Sequence, residues 1–313
     1  MSSGDAERAT AFAPASIGNV AVGFDILGLA VDALGDRATV IKRAQAGVGV
    51  SAIRGVVQNL PLEAAKNTAG RALEAMLADA EVDFGVDVEI DKGIPLGSGL
   101  GGSAASAVAA VVAANRVLGG RYARLQLLKF AMQGEQVASG SLHVDNVAPS
   151  LFGGLALTVG IDEPRVKRIP APAGVRAVAV HPHMELATKQ ARAILSPTVS
   201  MSDFVWQSAN LAGLIAACYT DDVDLIRASL EDVIIEPQRQ SLIPGAGAVR
   251  AAALGQGALG CSISGAGPTM FAWALEADGE RVREAMQAAF TGVNIKSDGW
   301  VVEIDSPGAR LIA

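Results

Sequence analysis

The sequence predicts an α+β fold in two domains, and three observations support this prediction. The 313 residues are enough for about two domains of roughly 150 residues each. Half of the residues are apolar, which is enough for a sizeable core. Helical and strand patterns are mixed without a steady βαβ alternation, which favours two-layer α+β domains over a doubly wound sheet.

The clearest local pattern is a strand, a glycine-rich segment and a helix in succession. Residues 84–91 alternate between apolar and polar side chains, which predicts a strand with one wet face. Residues 103–118 are nearly all Ala and Val, which predicts a buried helix closed by Gly119 and Gly120. A second helix is expected over residues 122–136.

Prolines and glycines in residues 166–174 mark the best candidate for a domain junction, so the domains are predicted at 1–168 and 169–313. Beyond the junction, strands are expected at 175–180 and on both sides of 264–269. The last strand of the chain is expected at 299–304. Helices are expected at 203–219, 222–232, 247–254 and 280–290.

Composition excludes several classes of protein. Lys and Arg number 25 against 32 Asp and Glu, so the formal net charge is −7 and neither a nucleic acid nor an anionic membrane is an expected partner. The longest apolar stretches fall short of the ~18 residues of a membrane span. No secretory signal or transit peptide is recognisable, so the expected location is cytoplasmic. Cys218 and Cys261 are far apart without a CxxC pattern, which favours buried reduced thiols.

The glycine-rich segment has the pattern of a phosphate-binding loop. It lies between a predicted strand and a predicted helix, where unpaired backbone N–H groups and the helix dipole attract anions. A tight turn before a close-packed helix is the alternative, but the density of glycine and serine at a helix start favours phosphate. The segment consists of Pro95, Leu96, Gly97, Ser98, Gly99, Leu100, Gly101, Gly102, Ser103, Ala104 and Ala105.

Neither familiar nucleotide template fits this segment. A dinucleotide-binding fingerprint requires an acidic residue about 20 positions later, and none occurs between Ser103 and Gly134. A Walker A loop requires lysine where Ser103 stands. The pattern therefore predicts a phosphate loop without its lysine, which depends on Mg²⁺ and the helix dipole, with Ser103 as a candidate metal ligand.

Other polar residues are candidates for the site, each with an ordinary structural alternative. Glu135 is either a Mg²⁺ ligand or a solvated helix-end acid. Arg192 lies four residues after Thr188, on the same helical face. Taken singly, Arg192 and Arg239 are expected to be surface arginines, but together they could clamp a carboxylate. Turn capping is the alternative for the remaining candidates, which are Asn19, Asp25, His143, Asp145 and Asn146.

A pair of histidines and a second glycine-rich turn are two further motifs of the carboxy-terminal half. His181 and His183 lack metal-site spacing, so a loop at a strand end is the expected structure. Residues 262–269 form a second glycine-rich turn between two strands, and we expect it to buttress or cover the first. Gly265 lies at its centre.

Six segments taken together resemble the GHMP kinase superfamily. They agree with its motifs in order across nearly the whole chain, and Gly102 is a departure from the serine usual at that position. Within the superfamily they are most similar to members that phosphorylate L-homoserine. The segments read APASIGNVAVGFDILG, PLGSGLGGSAAS followed by SLHVDN, TKQAR, EPQR and SISGAGPT.

The resemblance implies a two-domain GHMP kinase fold, with an amino-terminal domain like ribosomal protein S5 domain 2 and a ferredoxin-like carboxy-terminal domain. It implies ATP-dependent phosphorylation of L-homoserine in threonine biosynthesis by a homodimer. Residues 95–105 would hold ATP, with Asn67 a weaker candidate near the adenine, and Ser103 and Glu135 would hold Mg²⁺. The residues expected around homoserine are Asn19, Asp25, His143, Asp145, Thr188, Arg192, Arg239 and Gly265.

The resemblance also implies catalytic roles for Asn146, Asp145, Glu135 and Arg192. Asn146 stands where mevalonate kinase-like relatives carry a catalytic Asp, and an amide cannot accept a proton as a general base. The alternatives are another small-molecule GHMP kinase of mevalonate or shikimate type and a non-catalytic RNA-binding module. The acidic balance and the presence of Ser103 and Glu135 count against the RNA-binding module.

Overall fold

The computed structural model describes residues 6–139, 144–160 and 163–312. Within these ranges two β-sheets are flanked by helices, one sheet mainly from each half of the chain. This mixed two-domain architecture confirms the α+β prediction. The boundary at 168/169 stays a prediction, which the change from the first sheet to the second between residues 169 and 175 supports.

Eleven strands and ten α-helices follow one another along the described ranges. The strands are β1 (Arg8–Gly18), β2 (Leu27–Arg43), β3 (Gly47–Gly55), β4 (Gly85–Lys92), β5 (Leu155–Val159), β6 (Arg165–Ile169), β7 (Val175–Pro182), β8 (Gly260–Ile263), β9 (Met270–Leu275), β10 (Ser297–Glu303) and β11 (Arg310–Ile312). The helices are α1 (Thr68–Ala80), α2 (Gly102–Val117), α3 (Arg124–Ser139), α4 (Val144–Phe152), α5 (Thr188–Ala193), α6 (Met201–Thr220), α7 (Val223–Ser229), α8 (Glu236–Arg239), α9 (Ala246–Gly255) and α10 (Gly279–Thr291).

The first sheet is built around the long strand β2. Its strand order is β11-β1-β2-β4-β3, and β5 joins β2 to β6. The pairs are antiparallel except β3 with β4. The last pair between β1 and β2 is Gly18 with Gly28, so the turn between these strands projects from one end of the sheet, where the expected substrate residues Asn19 and Asp25 lie.

Helix α2 packs tightly on this sheet because its side chains are small. It lies against β1 and β2 and contacts α1, α3 and α4. Most of its Ala and Val side chains, such as Ala107, Val108 and Val111, are fully buried, as expected where a helix backbone approaches its neighbours closely. This packing fixes the start of α2, and with it the glycine-rich segment.

The second sheet has the ferredoxin-like arrangement. Its order is β10-β7-β9-β8, all pairs are antiparallel, and helices separate β7 from β8 and β9 from β10. Side chains of β9 alternate between two cores. Phe271 and Trp273 belong to the large core shared by the amino-terminal domain and helices α6 and α7, and Ala272 and Ala274 belong to a smaller core that includes α9 and α10.

The expected strands and helices occur within a few residues of the predicted positions, with two differences. The strand near 299–304 is not the last, because β11 follows and returns the chain to the first sheet beside β1. The predicted linker 166–174 includes most of β6, which pairs with β5. Its proline- and glycine-containing remainder connects the two sheets.

The chain offers no candidate for a membrane span in the part that the structure describes. None of the helices there combines the length and the hydropathy that such a span needs.

Candidate active site

A cavity of about 540 Å³ lies where the glycine-rich segment, the β1–β2 turn and helices α5 and α8 meet. It brings together residues that are far apart in sequence and come from both domains. Most of the predicted site residues line it: Asn19, Asp25, Asn67, Pro95, Leu96, Gly97, Ser98, Gly99, Gly101, Gly102, Ser103, Glu135, Asp145, Asn146, Thr188, Arg192, Arg239 and Gly265.

The phosphate loop, residues 93–101, connects β4 to α2 in a shape that requires glycine. Gly97, Gly99 and Gly101 have φ angles of 59°, 76° and 66°, in the left-handed region that side chains disfavour. Gly101 caps α2 without a side-chain hydrogen bond to the first turn. The positive end of the helix and its first N–H groups therefore face the cavity, as a phosphate site requires.

The second glycine loop, residues 264–269, packs directly on the phosphate loop, as the sequence predicted. Ser264 Oγ donates to the Gly99 carbonyl at 2.7 Å, and the Thr269 N–H donates to the Ser98 carbonyl at 3.1 Å. A Cβ on Gly99 would lie 2.6 Å from the Gly267 carbonyl oxygen. The carboxy-terminal domain thus supports the phosphate loop through hydrogen bonds to its backbone carbonyls.

Ser103 and Glu135 meet at the start of α2, also as predicted. Ser103 Oγ donates to Glu135 Oε1 at 2.9 Å, and Glu135 is 5% exposed at the cavity wall. In the described residues no three His, Cys, Asp or Glu side chains are grouped as metal ligands. A metal at this pair would therefore need further oxygens from the phosphates, which is how Mg²⁺ is commonly bound.

Asn67 lines the cavity, but its side chain is the N-cap of α1. Its Oδ1 accepts the N–H groups of Ala69 and Gly70 at 3.0 and 3.2 Å. Its Nδ2 donates to the Pro61 carbonyl at 2.9 Å. Shaping this wall is therefore the role that its contacts indicate, and adenine recognition stays a prediction.

Asp145 and Asn146 lie in the first turn of α4 and contact the strand β1 and the turn after it. Asp145 is 2% exposed, and its Oδ2 accepts the Asn19 N–H at 3.1 Å. Asn146 Oδ1 accepts Ser16 Oγ–H at 3.0 Å. A Cβ at Gly18 would lie 2.4 Å from Asp145 Oδ2, so only glycine allows this approach.

At the other side of the cavity Asp25 forms a bidentate ion pair with Arg192. Both guanidinium NH groups donate to the two carboxylate oxygens, one of them at 3.2 Å. The Asp25 N–H in turn donates to Asn19 Oδ1 at 3.1 Å, and Asn19 Nδ2 donates to the Gly265 carbonyl at 3.0 Å. Asn19 and Asp25 both have positive φ, which shows a backbone held in an unfavourable shape by its surroundings.

Arg239 completes this charged region. It is 3% exposed, and its Nε and NH1 donate to the carbonyls of Ala191 and Gly265 at 3.0 and 2.9 Å. Burial and the nearby Arg192 charge lower the pKa of Arg239. Phe24 contacts both arginines, whose guanidinium carbons are 5.2 and 5.3 Å from its ring centre, within the range of a cation–π contact.

A few predicted site residues lie elsewhere. Leu100, Ala104 and Ala105 are fully buried in the core and do not line the cavity, because the turn at Gly99 and the first turn of α2 direct their side chains inwards. A Cβ added to Gly102 would lie 3.1 Å from Ile94 and 3.5 Å from Lys92 Nζ, so a serine there would sit beside these side chains. The prediction for His143 lies outside the described residues.

The structure adds residues that the sequence did not single out. Phe24 and Lys92 line the cavity, and Asp36 lies behind Lys92 without lining it. A lysine shortly before the glycines was the available signal for Lys92. Nothing in the sequence near Asp36 pointed to a site. Lys92 is distant from Asp36 in sequence and contacts it only because β2 pairs with β4.

Other titratable groups have structural surroundings. His181 Nδ1 lies 3.2 Å from Thr269 Oγ1, and burial lowers its pKa to about 4. Cys218 and Cys261 are free and buried, and burial raises the pKa of Cys218 to about 12 and that of Cys261 further. These pKa directions fit unreactive core thiols, as the sequence predicted.

An uncapped helix start that faces paired charged groups across one cavity is the arrangement expected of a phosphotransferase. The chain belongs to the GHMP kinase family and is an ATP-dependent small-molecule kinase. Residues 67–154 match the model of the GHMP kinases N terminal domain, and residues 214–292 match that of the GHMP kinases C terminal domain.

Individual relatives are similar in sequence to this chain over nearly its whole length. A homoserine kinase of Xanthomonas campestris pv. campestris is 49% identical over 98% of this chain and 94% of its own. One of Xylella fastidiosa is 48% identical over 98% and 95%. The crystal structure of homoserine kinase from Cytophaga hutchinsonii superposes with a TM-score of 0.95, at 42% identity and 98% coverage of both chains.

Proposed function

We propose that the chain transfers the γ-phosphoryl group of ATP to the side-chain hydroxyl of L-homoserine. The product is O-phospho-L-homoserine, an intermediate of threonine biosynthesis. Curated homoserine kinases that are 40–49% identical over nearly the full chain support this assignment.

The observation that carries the proposal is the charged region formed by Asp25, Arg192 and Arg239. An α-amino acid presents an ammonium and a carboxylate on one carbon, and the region offers a carboxylate beside two guanidinium groups. Asp25 is suited to the ammonium, and the arginines to the carboxylate. The acceptor hydroxyl, two carbons further along the substrate, would then point towards the phosphate loop. Asn19, Thr188 and Gly265 are proposed to complete the pocket, as is His143.

The residues at the start of α2 fit Mg²⁺. Ser103 and Glu135 supply two oxygens within hydrogen-bond distance of each other, and hard oxygen ligands are what this ion prefers. We propose that they hold Mg²⁺, which supplies compensation for the charge of the triphosphate. The phosphate loop would bind the phosphates through its N–H groups, with the adenine beyond it towards Asn67.

Phosphoryl transfer requires positioning and charge neutralisation more than covalent help from the protein. Asn146 cannot act as a base, and Asp145 has a positioning contact to the backbone of Asn19. We propose that the hydroxyl attacks the γ-phosphorus directly and that its proton passes to phosphate or water. Arg192 then acts by fixing the substrate.

An ADP-release assay with homoserine, mevalonate, shikimate and galactose tests the reaction. We expect turnover with homoserine alone, and turnover of another alcohol in its place would contradict the assignment. The same assay on Asp145→Asn tests the absence of a base. We expect a loss of kcat below about a thousandfold and no lost pKa in the pH profile, because general-base catalysis supplies ~10² to 10⁴.

We also propose a cytoplasmic homodimer. Two buried free thiols fit a reducing compartment. The start of α6 carries large apolar side chains at the surface, with Phe204 and Trp206 55% and 65% exposed, which supports an interface there. Light scattering should give twice the 31.8 kDa chain mass, and Trp206→Glu should reduce it to the single chain mass.

A further inference from the structure

Three polar side chains are buried together beneath the phosphate loop. Lys92 ends β4, Asp36 lies in β2, and Ser106 lies in the second turn of α2. The Lys92 and Asp36 side chains are 5% and 0% exposed. We call these three residues the Lys92 cluster.

The Lys92 ammonium has three donors, and each of them has an acceptor. Nζ donates to Asp36 Oδ2, to Ser106 Oγ at 2.8 Å and to the Gly102 carbonyl at 2.7 Å. Gly102 is the first residue of α2. Lys92 therefore binds the backbone of the helix start that the phosphate is expected to occupy.

Asp36 joins the beginning of the phosphate loop to the helix at its end. Its Oδ1 accepts the N–H groups of Gly93 and Ile94 at 3.0 and 3.2 Å. Its Oδ2 accepts the Ser106 hydroxyl at 2.6 Å as well as Lys92 Nζ. One carboxylate thus holds both ends of the loop.

The charge balance distinguishes this lysine from that of a Walker A loop. The Walker lysine extends from the loop to the phosphates, whereas the Lys92 charge is matched by Asp36 in direct contact. A buried charge is tolerated when it is paired and hydrogen-bonded, and losing one partner is costly. The pair is therefore suited to fixing geometry rather than to attracting an anion.

We propose that Asp36 and Lys92 are positioning residues for the nucleotide phosphates. They keep the Gly102 carbonyl turned towards the cluster and the loop N–H groups towards the cavity, without either side chain binding phosphate. The proposal rests on the nucleotide half of the proposed function and is independent of the acceptor.

Binding of ADP and of adenosine to Lys92→Met, Asp36→Asn and the double variant tests this proposal by calorimetry. Each variant should bind ADP about tenfold or more weakly, while adenosine affinity should stay within about twofold. The double variant should lose no more than the weaker-binding single variant, because the two residues act as a unit. Ser106→Ala, which removes one hydroxyl, should show a smaller loss in the same direction.

A matched control is Asp87→Asn, which removes the 2.8 Å ion pair with Arg43 between the same two strands. It should leave ADP affinity unchanged. If Lys92→Met weakens ADP binding while Asp36→Asn preserves or tightens it, Lys92 is a direct phosphate ligand and the proposal is wrong. Equal losses for ADP and adenosine in Ser106→Ala would also overturn it. Normal ADP binding without homoserine turnover would affect only the acceptor assignment.

Discussion

Arg192 and Arg239 lie close enough to share one aromatic ring, although their charges repel each other. The Phe24 ring faces both guanidinium groups, and Asp25 pairs with Arg192. Burial lowers the pKa of Arg239, and the nearby Arg192 charge lowers it further. A bound carboxylate would relieve this repulsion, which is a physical reason for affinity at this position.

We predict that Arg192→Leu and Arg239→Leu raise KM for homoserine and leave KM for ATP nearly unchanged. Loss of a charge-assisted contact costs about 1.5 to 3 kcal/mol, or roughly ten- to a hundredfold. Arg239 also binds two backbone carbonyls, so its variant should melt at a lower temperature than the Arg192 variant. Equal increases in both KM values would show damage to the fold instead.

Glu135 is the second residue whose role can be isolated. We predict that Glu135→Gln lowers kcat strongly and raises the Mg²⁺ concentration needed for half-maximal activity, because a neutral amide is a poorer ligand than a carboxylate. Glu284→Gln, at the surface of α10, is the control. A Glu135 variant that turns over like the wild type would show that the acid is only structural.

At the scale of elements, the contact between the two glycine loops connects the domains at the phosphate site. The Leu186 N–H also donates to the Gly97 carbonyl at 2.9 Å, so the carboxy-terminal domain supports the loop at two places. The phosphate loop accepts all of these hydrogen bonds through backbone carbonyls, and no room is left for a side chain at Gly99.

We predict that Gly99→Ala destabilises the protein by about 2 to 4 kcal/mol, from its positive φ and the clash with the second loop. Gly174→Ala is a matched control, because Gly174 has a φ of 68° but no atom within 4 Å of the position that an alanine Cβ would take. It should cost only the backbone term of roughly 1 to 2 kcal/mol. Chemical denaturation measures both values, and equal losses would mean that the loop contact contributes nothing.

For the whole molecule, stability should fall in mild acid because of His181. Its pKa is about 4 in the folded protein against 6.5 for an unperturbed histidine. Below pH 6.5 the unfolded chain binds a proton that the folded chain does not, so stability is complete above pH 6.5 and declines as the pH falls towards 4. The full loss is about 3 kcal/mol.

We predict that His181→Asn reduces this acid sensitivity, with about 2 kcal/mol of the wild-type loss at pH 5 removed. Asp232 and Glu236 have pKa values raised by burial and act in the opposite direction, so the comparison must be between variant and wild type. Identical pH profiles for wild type and His181→Asn would contradict the assignment.

Features encoded within one short stretch of chain could be predicted from the sequence. The phosphate loop and α2 follow from glycine spacing and small apolar side chains within one stretch of chain. The Lys92 cluster depends on the pairing of β2 with β4, which aligns Arg37 with Asp91. No short sequence pattern encodes this pairing. Strand β11 was missed because three residues carry too little periodicity to reveal a strand.

Contacts between residues of the candidate site were predictable only in part. Ser103 and Glu135 were predicted as a pair and contact each other, and Asp25 and Arg192 were both predicted around the substrate. That Asp25 and Arg192 also bind each other could not be inferred, because they belong to different domains. Phe24 was overlooked because a single aromatic residue among small ones resembles ordinary core.

Recognition of both charged groups of an α-amino acid is the central claim, and substrate analogues test it most directly. The measurement is kcat/KM for L-homoserine, for 4-hydroxybutanoate, which lacks the ammonium, and for 3-aminopropan-1-ol, which lacks the carboxylate. We predict losses of about a hundredfold or more for each analogue, because a site built to bind a polar group rejects a substrate without it. Comparable kcat/KM values for homoserine and either analogue would contradict the account.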